Sequence, residues 1–382
     1  MSQSPEITKK NWFQQNPKKT LALITGVALL LIVFAGEKFL QFYNHRHGVF
    51  LETHSRYIRL REYRPLTRLM LPFSPGRPFS ANHLSAKKYP LKVDRDGFIM
   101  PSRKYARPDL SLVFLGGSTT ECLFVDEESR FPYLAGVILE EKTGKKINSY
   151  NSARSGNNSL NAIDILVNKV IPLKPRVVVF MENINDLSTL LYEGTYWNKN
   201  SSRSPVETMN QTKWLGKLLR EICIPNLNYA YHNLNDKLFS SRKDEFAAVR
   251  GRKLHLDQAR LAREFAMNLQ TIVDICRIRG ITPVLMTQAS RITARPDRAV
   301  RNYFNHCLKG SGLSYRDLAA AYESFNETIR RVGRQNQVMV IDLAREIPAN
   351  HTYIYDMVHL SDTGSKYAAK LIAAKLKKLL AR

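Results

Sequence analysis

The sequence predicts a three-layer α/β/α sandwich on a parallel sheet of five strands, with a membrane-spanning helix before it. Three observations predict this. Residues Leu21 to Gly36 read LALITGVALLLIVFAG without a charge. From Ser111 onward, five short apolar runs alternate with helical patterns. Two of those runs, RVVVFM and QVMVID, are rich in β-branched residues and lack polar alternation, as strands covered on both faces do.

The apolar stretch comes first. Lys18 and Lys19 end it on one side, Glu37 and Lys38 on the other. Its sixteen residues rise about 24 Å as a helix, and Thr20, Phe39, Leu40, Phe42 and Tyr43 lengthen it if Lys38 snorkels. A cleaved signal peptide shares the basic-then-apolar pattern. The bulky Phe34 and the FLQFY run make a poor cleavage site, which favours an uncleaved anchor over 20–43. Lys9, Lys10, Lys18 and Lys19 precede the span, whereas Lys38 and Arg46 follow closely. That balance places the amino terminus in the cytoplasm and the large domain outside it.

Residues 1–19 are then a basic tail, and 44–109 a linker that leaves the membrane and wraps the main domain. This linker holds Arg56, Arg59, Arg61 and Arg64, the turn-rich LPFSPGRPFSANH, and an Asp96-Gly97 turn that predicts a hairpin or edge element. The main domain spans 110–382. Its strands are expected at 111–115, 146–150, 176–181, 281–286 and 337–342. Helices are expected at 131–141, 160–170, 256–279, 315–332 and 363–380, the third with an apolar stripe through Leu261, Phe265, Leu269, Ile272, Val273 and Cys276. A long interruption at about 190–253, carrying Tyr196, Trp197, Trp214, Tyr229 and Tyr231, is too large for an ordinary loop and predicts a cap or helical insertion.

Composition narrows the function. The chain has 382 residues, 44% of them hydrophobic and 24% charged, which excludes a disordered or collagen-like protein. Four scattered cysteines, Cys122, Cys223, Cys276 and Cys307, make neither a disulfide framework nor a zinc ribbon. GxGxxG after a first strand and GxxxxGK[ST] are both missing, so no nucleotide cofactor is implied. The net charge of +25 points to an anionic partner: lipid headgroups, or an acidic glycan if the domain lies outside. Nucleic acid is disfavoured, because the basic residues are dispersed and no nucleic-acid module frames them.

Chemistry concentrates in two places. In LVFLGGSTTE a strand ends at Leu115, Gly116 and Gly117 permit a tight turn, and Ser118 opens a helix. A serine there sits where α/β sites lie, with backbone amides at hand to steady negative charge. The same letters also read as a capping box, Ser118 at the N-cap and Glu121 at N3. Near the carboxyl end, YDMVHLSD separates Asp356 from His359 by two residues. That spacing lets a carboxylate orient one imidazole nitrogen while the other faces a serine. As metal ligands the two would make an incomplete site, so no metal is expected.

Together these blocks resemble the SGNH (GDSL-like) hydrolase superfamily, in the membrane-anchored branch whose first block reads GGSTTE. The resemblance implies a flavodoxin-like sheet and a nucleophile at Ser118, with Asp356 and His359 completing a triad. It places oxyanion donors at Ser118, at Gly156 in SARSGNNS and at Asn185 in NIND. Gly117 stands where the common motif has Asp, and Asn183 where the third block has Gly, which puts a side chain beside the oxyanion donor. Asn151 is expected to brace the second-block loop, and Asp186 closes the third block.

The implied activity is hydrolysis of an acyl ester, acetyl first among candidates, on an envelope or exported polysaccharide. Envelope polysaccharide-processing proteins are the implied partners. If another hydroxyl displaces water, the same machinery is an O-acyltransferase. An inactive fold that binds glycans is the non-enzymatic alternative. Activity is expected to fall as pH drops through the imidazole range, roughly 6 to 7.

Overall fold

The computed structural model describes residues 11–48, 54–73, 88–200, 203–210 and 251–381, with isolated positions between 216 and 231. Trp214 and Tyr229 lie outside the described residues, as does about half of the 190–253 insertion. The chain divides into two compact units, one of 1–55 with 209–225 and one of 56–208 with 226–382.

In the first unit, helix α1 (Pro17–Arg46) runs for 30 residues without interruption, about 45 Å at the helical rise. Pro17 opens it at the position where a missing N–H costs nothing, and His45 and Arg46 complement its dipole at the far end. Its apolar side chains are exposed along its whole length, Leu30 at 71%. It is long and apolar enough to cross a membrane.

The second unit begins with an antiparallel pair, β1 (Arg68–Pro72) against β2 (Lys88–Lys92). The Asp96-Gly97 turn forms as well, with Gly97 at a φ of 82°. It closes only a single bridge, Val93 to Ile99, and Ile99 in turn bridges antiparallel to Asn151. The local turn signal was legible, but the strand's long partner lies some twenty residues upstream.

The central sheet contains β3 (Leu110–Gly116), β4 (Ile147–Asn151), β5 (Val177–Met181), β6 (Thr282–Met286) and β7 (Met339–Ile341). All pairs are parallel, in the order β4-β3-β5-β6-β7. Every residue of β4 and β5 is buried, which explains the unbroken apolar run of β5; β4 buries Asn148, Ser149 and Asn151 as well. Alternate side chains feed two cores. Val113, Leu115, Val178, Phe180 and Leu285 pack with α4 (Ser159–Ile165), α6 (Gln258–Ile278) and α8 (Tyr315–Gln335). Leu112, Phe114, Val177, Val179 and Met286 pack with α3 (Phe131–Thr143) and α9 (Asp362–Leu380) on the other face. Each such buried aliphatic or aromatic side chain contributes roughly 1.5–3 kcal/mol.

Three stretches differ from expectation. Helix α5 (Ile184–Glu193) buries Leu187, Leu190 and Leu191, so the interruption starts after Gly194, not at 190. The helix expected over 160–170 is α-helical only to Ile165, then widens to a π turn and tightens to a 3-10 turn through Leu173. Helix α7 (Arg298–Cys307) carries its own Asp297 cap and was not foreseen. Cys276 is buried as its place in the stripe predicts, and all four cysteines are free thiols.

Candidate active site

Register brings the site together. Gly116 at the end of β3 pairs with Met181 at the end of β5, and Phe114 pairs with Asn151 at the end of β4. The segments leaving these three strands therefore meet at the carboxyl edge of the sheet, where open α/β sheets bind ligands.

The turn after β3 requires both glycines. A Cβ on Gly116 would come under 3.0 Å from the Met181 carbonyl and Thr120, and one on Gly117 equally close to Glu182 Oε2 and Asn185 Nδ2. The short helix α2 (Ser118–Glu121) follows, with Gly117 as its N-cap and no side-chain cap. The capping-box reading of Ser118 and Glu121 is thus overturned. Glu121 is buried and accepts from Tyr63 Oη at 2.5 Å and from the Ser155 hydroxyl. Burial pushes its carboxyl up, against the pull of those two hydrogen bonds.

Asp356 and His359 sit on a small loop closed by a bridge between Ile354 and Leu360. His359 Nε2 lies 2.7 Å from Ser118 Oγ, across 241 positions of sequence. Its Nδ1 lies 2.6 Å from Asp356 Oδ2. Oδ1 of Asp356 accepts the backbone N–H groups of Val358 at 3.0 Å and His359 at 2.8 Å. Burial alone would raise this carboxyl, but His359 and those two N–H groups outweigh it and hold it below the usual range. Arg291 braces the loop from beneath, donating to the Asp356 carbonyl at 3.0 Å while Asp297 holds its far side at 2.6 Å.

The third segment carries Asn183 to Asp186. Asn185 donates through Nδ2 to the Asn157 carbonyl at 2.9 Å and accepts through Oδ1 from Arg203 at 2.9 Å. Its position against Gly117 puts its amide beside the serine turn. Asn183 is fully buried and donates to the Tyr322 carbonyl at 3.0 Å. Asp186 is structural in its contacts. It accepts from Ser159 and from Tyr196 Oη at 2.6 Å, and burial pushes its carboxyl up to about 6.

Gly156 adopts a φ of 80° in the loop after β4, conformational space that favours glycine. Arg154 N of this loop donates to the Gly116 carbonyl at 3.3 Å, which keeps Gly156 near the serine turn. Asn151 donates to the Thr120 carbonyl at 3.0 Å and accepts from Ala153 N at 3.1 Å. It ties helix α2 to the loop after β4. Arg61, from the linker, donates to Asn157 Oδ1 at 3.1 Å and to the Ser155 carbonyl at 3.2 Å.

Several participants were not legible in sequence. Gln288, after β6, donates to Thr119 Oγ1 at 2.8 Å and accepts from Ile184 N at 3.0 Å, linking the serine helix to α5. The Tyr355 ring stacks on His359 with centroids 5.7 Å apart, and Phe73 and Phe124 pack around it. The aromatics singled out in the insertion behave otherwise. Tyr196 is fully buried, whereas Trp197 and Tyr231 are exposed. Cys122 is packed beneath the serine helix, where burial pushes its thiol up to about 12.

No curated protein sequence matches the chain. Among solved structures, it is similar to the acetylxylan esterase Axe2 of Geobacillus stearothermophilus, at 14% identity and a TM-score of 0.41, over 70% of this chain and 94% of that one. An α/β hydrolase from the Lake Arreo metagenome gives 16% and 0.41 over 70% and 94%. A GDSL-like lipase from Bacteroides thetaiotaomicron gives 14% and 0.38 over 71% and 87%. The model of the GDSL-like Lipase/Acylhydrolase family matches residues 114–367, and that span takes in both the serine turn and the histidine loop. By that match over most of its length, the chain belongs to the GDSL-like lipase/acylhydrolase family.

Proposed function

We propose that this acylhydrolase is a membrane-anchored serine esterase that removes an acyl group, acetyl first, from an anionic envelope or exported polysaccharide. The observation that carries the reading is the continuous chain Ser118 Oγ, His359 and Asp356 at 2.7 and 2.6 Å. His359 Nε2 takes the Ser118 proton as Oγ attacks the ester carbonyl, while Asp356 fixes the proton on Nδ1 and offsets the imidazolium charge. The oxyanion forms against the amides of Ser118 and Gly156 and the Asn185 side chain. One such donor is worth about 3–4 kcal/mol in the transition state. The imidazolium then protonates the leaving alcohol. Water, deprotonated by His359, attacks the acyl-serine and frees the acid.

Charge beside the site favours an anionic carrier. Arg61 and Arg203 flank the Asn157–Asn185 pair. Burial, and after it the neighbouring Arg154, Arg203 and Arg59, pull the Arg61 guanidinium down to about 10. An anionic group on the substrate would relieve that repulsion. Tyr355, Phe73 and Phe124 offer an apolar wall next to His359, suited to a sugar face or a short acyl chain. Helix α1 supplies the anchor, and the lysines before it favour a cytoplasmic amino terminus with the catalytic unit outside.

The test is product analysis with the full-length protein in detergent, acetylated neutral and acidic glycans, and Ser118→Ala as control. Acetate released faster from the acidic glycan, and only by the wild type, supports the reading. Acetyl moved to an added sugar acceptor in place of water makes the enzyme an acyltransferase. Equal release by Ser118→Ala contradicts the serine mechanism.

A further inference from the structure

Strand β5 is wholly apolar up to Met181, and the next residue is an acid. Glu182 is 1% exposed. Its Oε1 accepts from the backbone N–H of Asn183 at 3.0 Å and of Asn185 at 3.4 Å, the first turn of α5. Its Oε2 is buried without a hydrogen-bond partner among the described residues. That oxygen lies against Gly117 alongside Asn185 Nδ2, where both would obstruct any Cβ at position 117. The carboxyl therefore sits against the residue before the serine, next to the side chain offered to the oxyanion.

We infer that Glu182 works as a neutral carboxylic acid that positions Asn185, and that its ionisation sets the alkaline limit of the reaction. The inference rests on the serine-esterase reading. Neutral, the carboxyl holds the first turn of α5 through Oε1 and leaves the second N–H of Asn185 Nδ2, beside the one given to the Asn157 carbonyl, to meet the oxyanion. Ionised, Oε2 becomes a strong acceptor beside Asn185 Nδ2 and places a negative charge where another must develop. Both effects weaken the transition state.

The surroundings agree. Burial, then the neighbouring Asp186, push the Glu182 carboxyl up to about 8. The titratable groups around it are Asp186 on α5 and Tyr322 on α8, with Arg203 one amide away across Asn185. From the serine turn, Gly117 lies against it.

The experiment is the pH dependence of kcat from 6 to 9.5 on a small acetyl ester, using the full-length protein in detergent. Wild type is expected to lose activity above about pH 8 with a slope of one proton, and Glu182→Gln to lack that fall. A fall of the same midpoint in both, or none in the wild type, overturns the inference. Glu182→Ala leaves the N–H groups of Asn183 and Asn185 without their acceptor and is expected to lower kcat roughly tenfold or more with little change in KM. Should Glu182→Gln fail to fold, Glu182→Asp replaces it. A displaced alkaline midpoint then supports the inference, and an unchanged one overturns it.

A second readout does not need turnover. A carboxyl whose folded proton affinity is raised stabilises the fold below its unfolded value, and that stability is lost as pH rises through the folded value. Wild type should therefore lose stability relative to Glu182→Gln between about pH 5 and 8, with a constant gap above. A gap that does not change with pH overturns the inference. If turnover proves independent of Ser118, the esterase reading fails while this measurement still decides the state of Glu182.

Discussion

The Arg203 guanidinium donates through Nη1 to Asn185 Oδ1 at 2.9 Å, so the amide proposed for the oxyanion is fixed by a cation from the segment after α5. A hydrogen bond from a charged group contributes about 1.5–3 kcal/mol. Part of that should appear in the transition state. Arg203→Ala is expected to lower kcat by roughly tenfold on a neutral acetyl ester. On an acidic ester KM should rise as well. Steady-state kinetics on the two substrates check both, and unchanged kcat on the neutral ester would remove Arg203 from the account.

Gly117→Ala tests the close packing at the serine turn. Its methyl group would meet Glu182 Oε2 and Asn185 Nδ2 at under 3.0 Å, so one or both must move. Overpacking of this kind costs about 1–3 kcal/mol of stability. A displacement near 1 Å at the oxyanion donor costs about 100-fold in rate. The expected result is a folded protein with a modestly lower melting temperature and a much lower kcat. Wild-type kinetics in the variant would mean that the turn tolerates a side chain.

Arg291 supports the opposite side of the site. It donates to the Asp356 carbonyl at 3.0 Å, and its backbone N–H donates to the Met357 carbonyl at 2.8 Å. Its guanidinium is nearly buried, whereas Asp297 is partly exposed, so the ion pair itself is screened. The carbonyl contacts matter more. Arg291→Ala is expected to lower stability by about 2 kcal/mol and to lower kcat through loosening of the histidine loop. Thermal unfolding and kinetics on the same preparation separate the two effects.

With His359 as the proposed base, the acid side of the pH profile is expected to follow its imidazole. Protonated imidazole cannot take the serine proton, so kcat/KM should fall with a slope of one proton as pH drops. Asp356 keeps its charge to lower pH than a free carboxyl, because His359 and two backbone N–H groups hold it below the usual range. Asp356→Asn is expected to lower kcat roughly 1000-fold or more by releasing the tautomer. A rate that stays flat to pH 4.5 in folded protein would exclude His359 as the base.

Sequence carried the centre of the sheet well because burial on both faces left β5, VVVFM, with no polar residue to suggest an exposed face. It carried Ser118, Asp356 and His359 because each lies in a short block where residue types and spacing are constrained together. Asn185 and Gly156 came only through resemblance, and neither lone letter has a pattern of its own. What escaped was long-range. The pairing of Lys88–Lys92 with Arg68–Pro72, the burial of Tyr196 against Asp186, and the reach of Gln288 to Thr119 all depend on partners distant in sequence. Glu182 did leave a trace, an acid ending an apolar strand, but nothing local says that Gly117 makes room for it.

The most direct measurement is reaction of the full-length protein with a fluorophosphonate, read by mass spectrometry of the peptide that contains Ser118 together with residual activity. The account predicts one adduct on Ser118, loss of turnover in step with labelling, and neither in Ser118→Ala. Turnover that survives complete labelling, or a Ser118→Ala variant as active as the wild type, would contradict it.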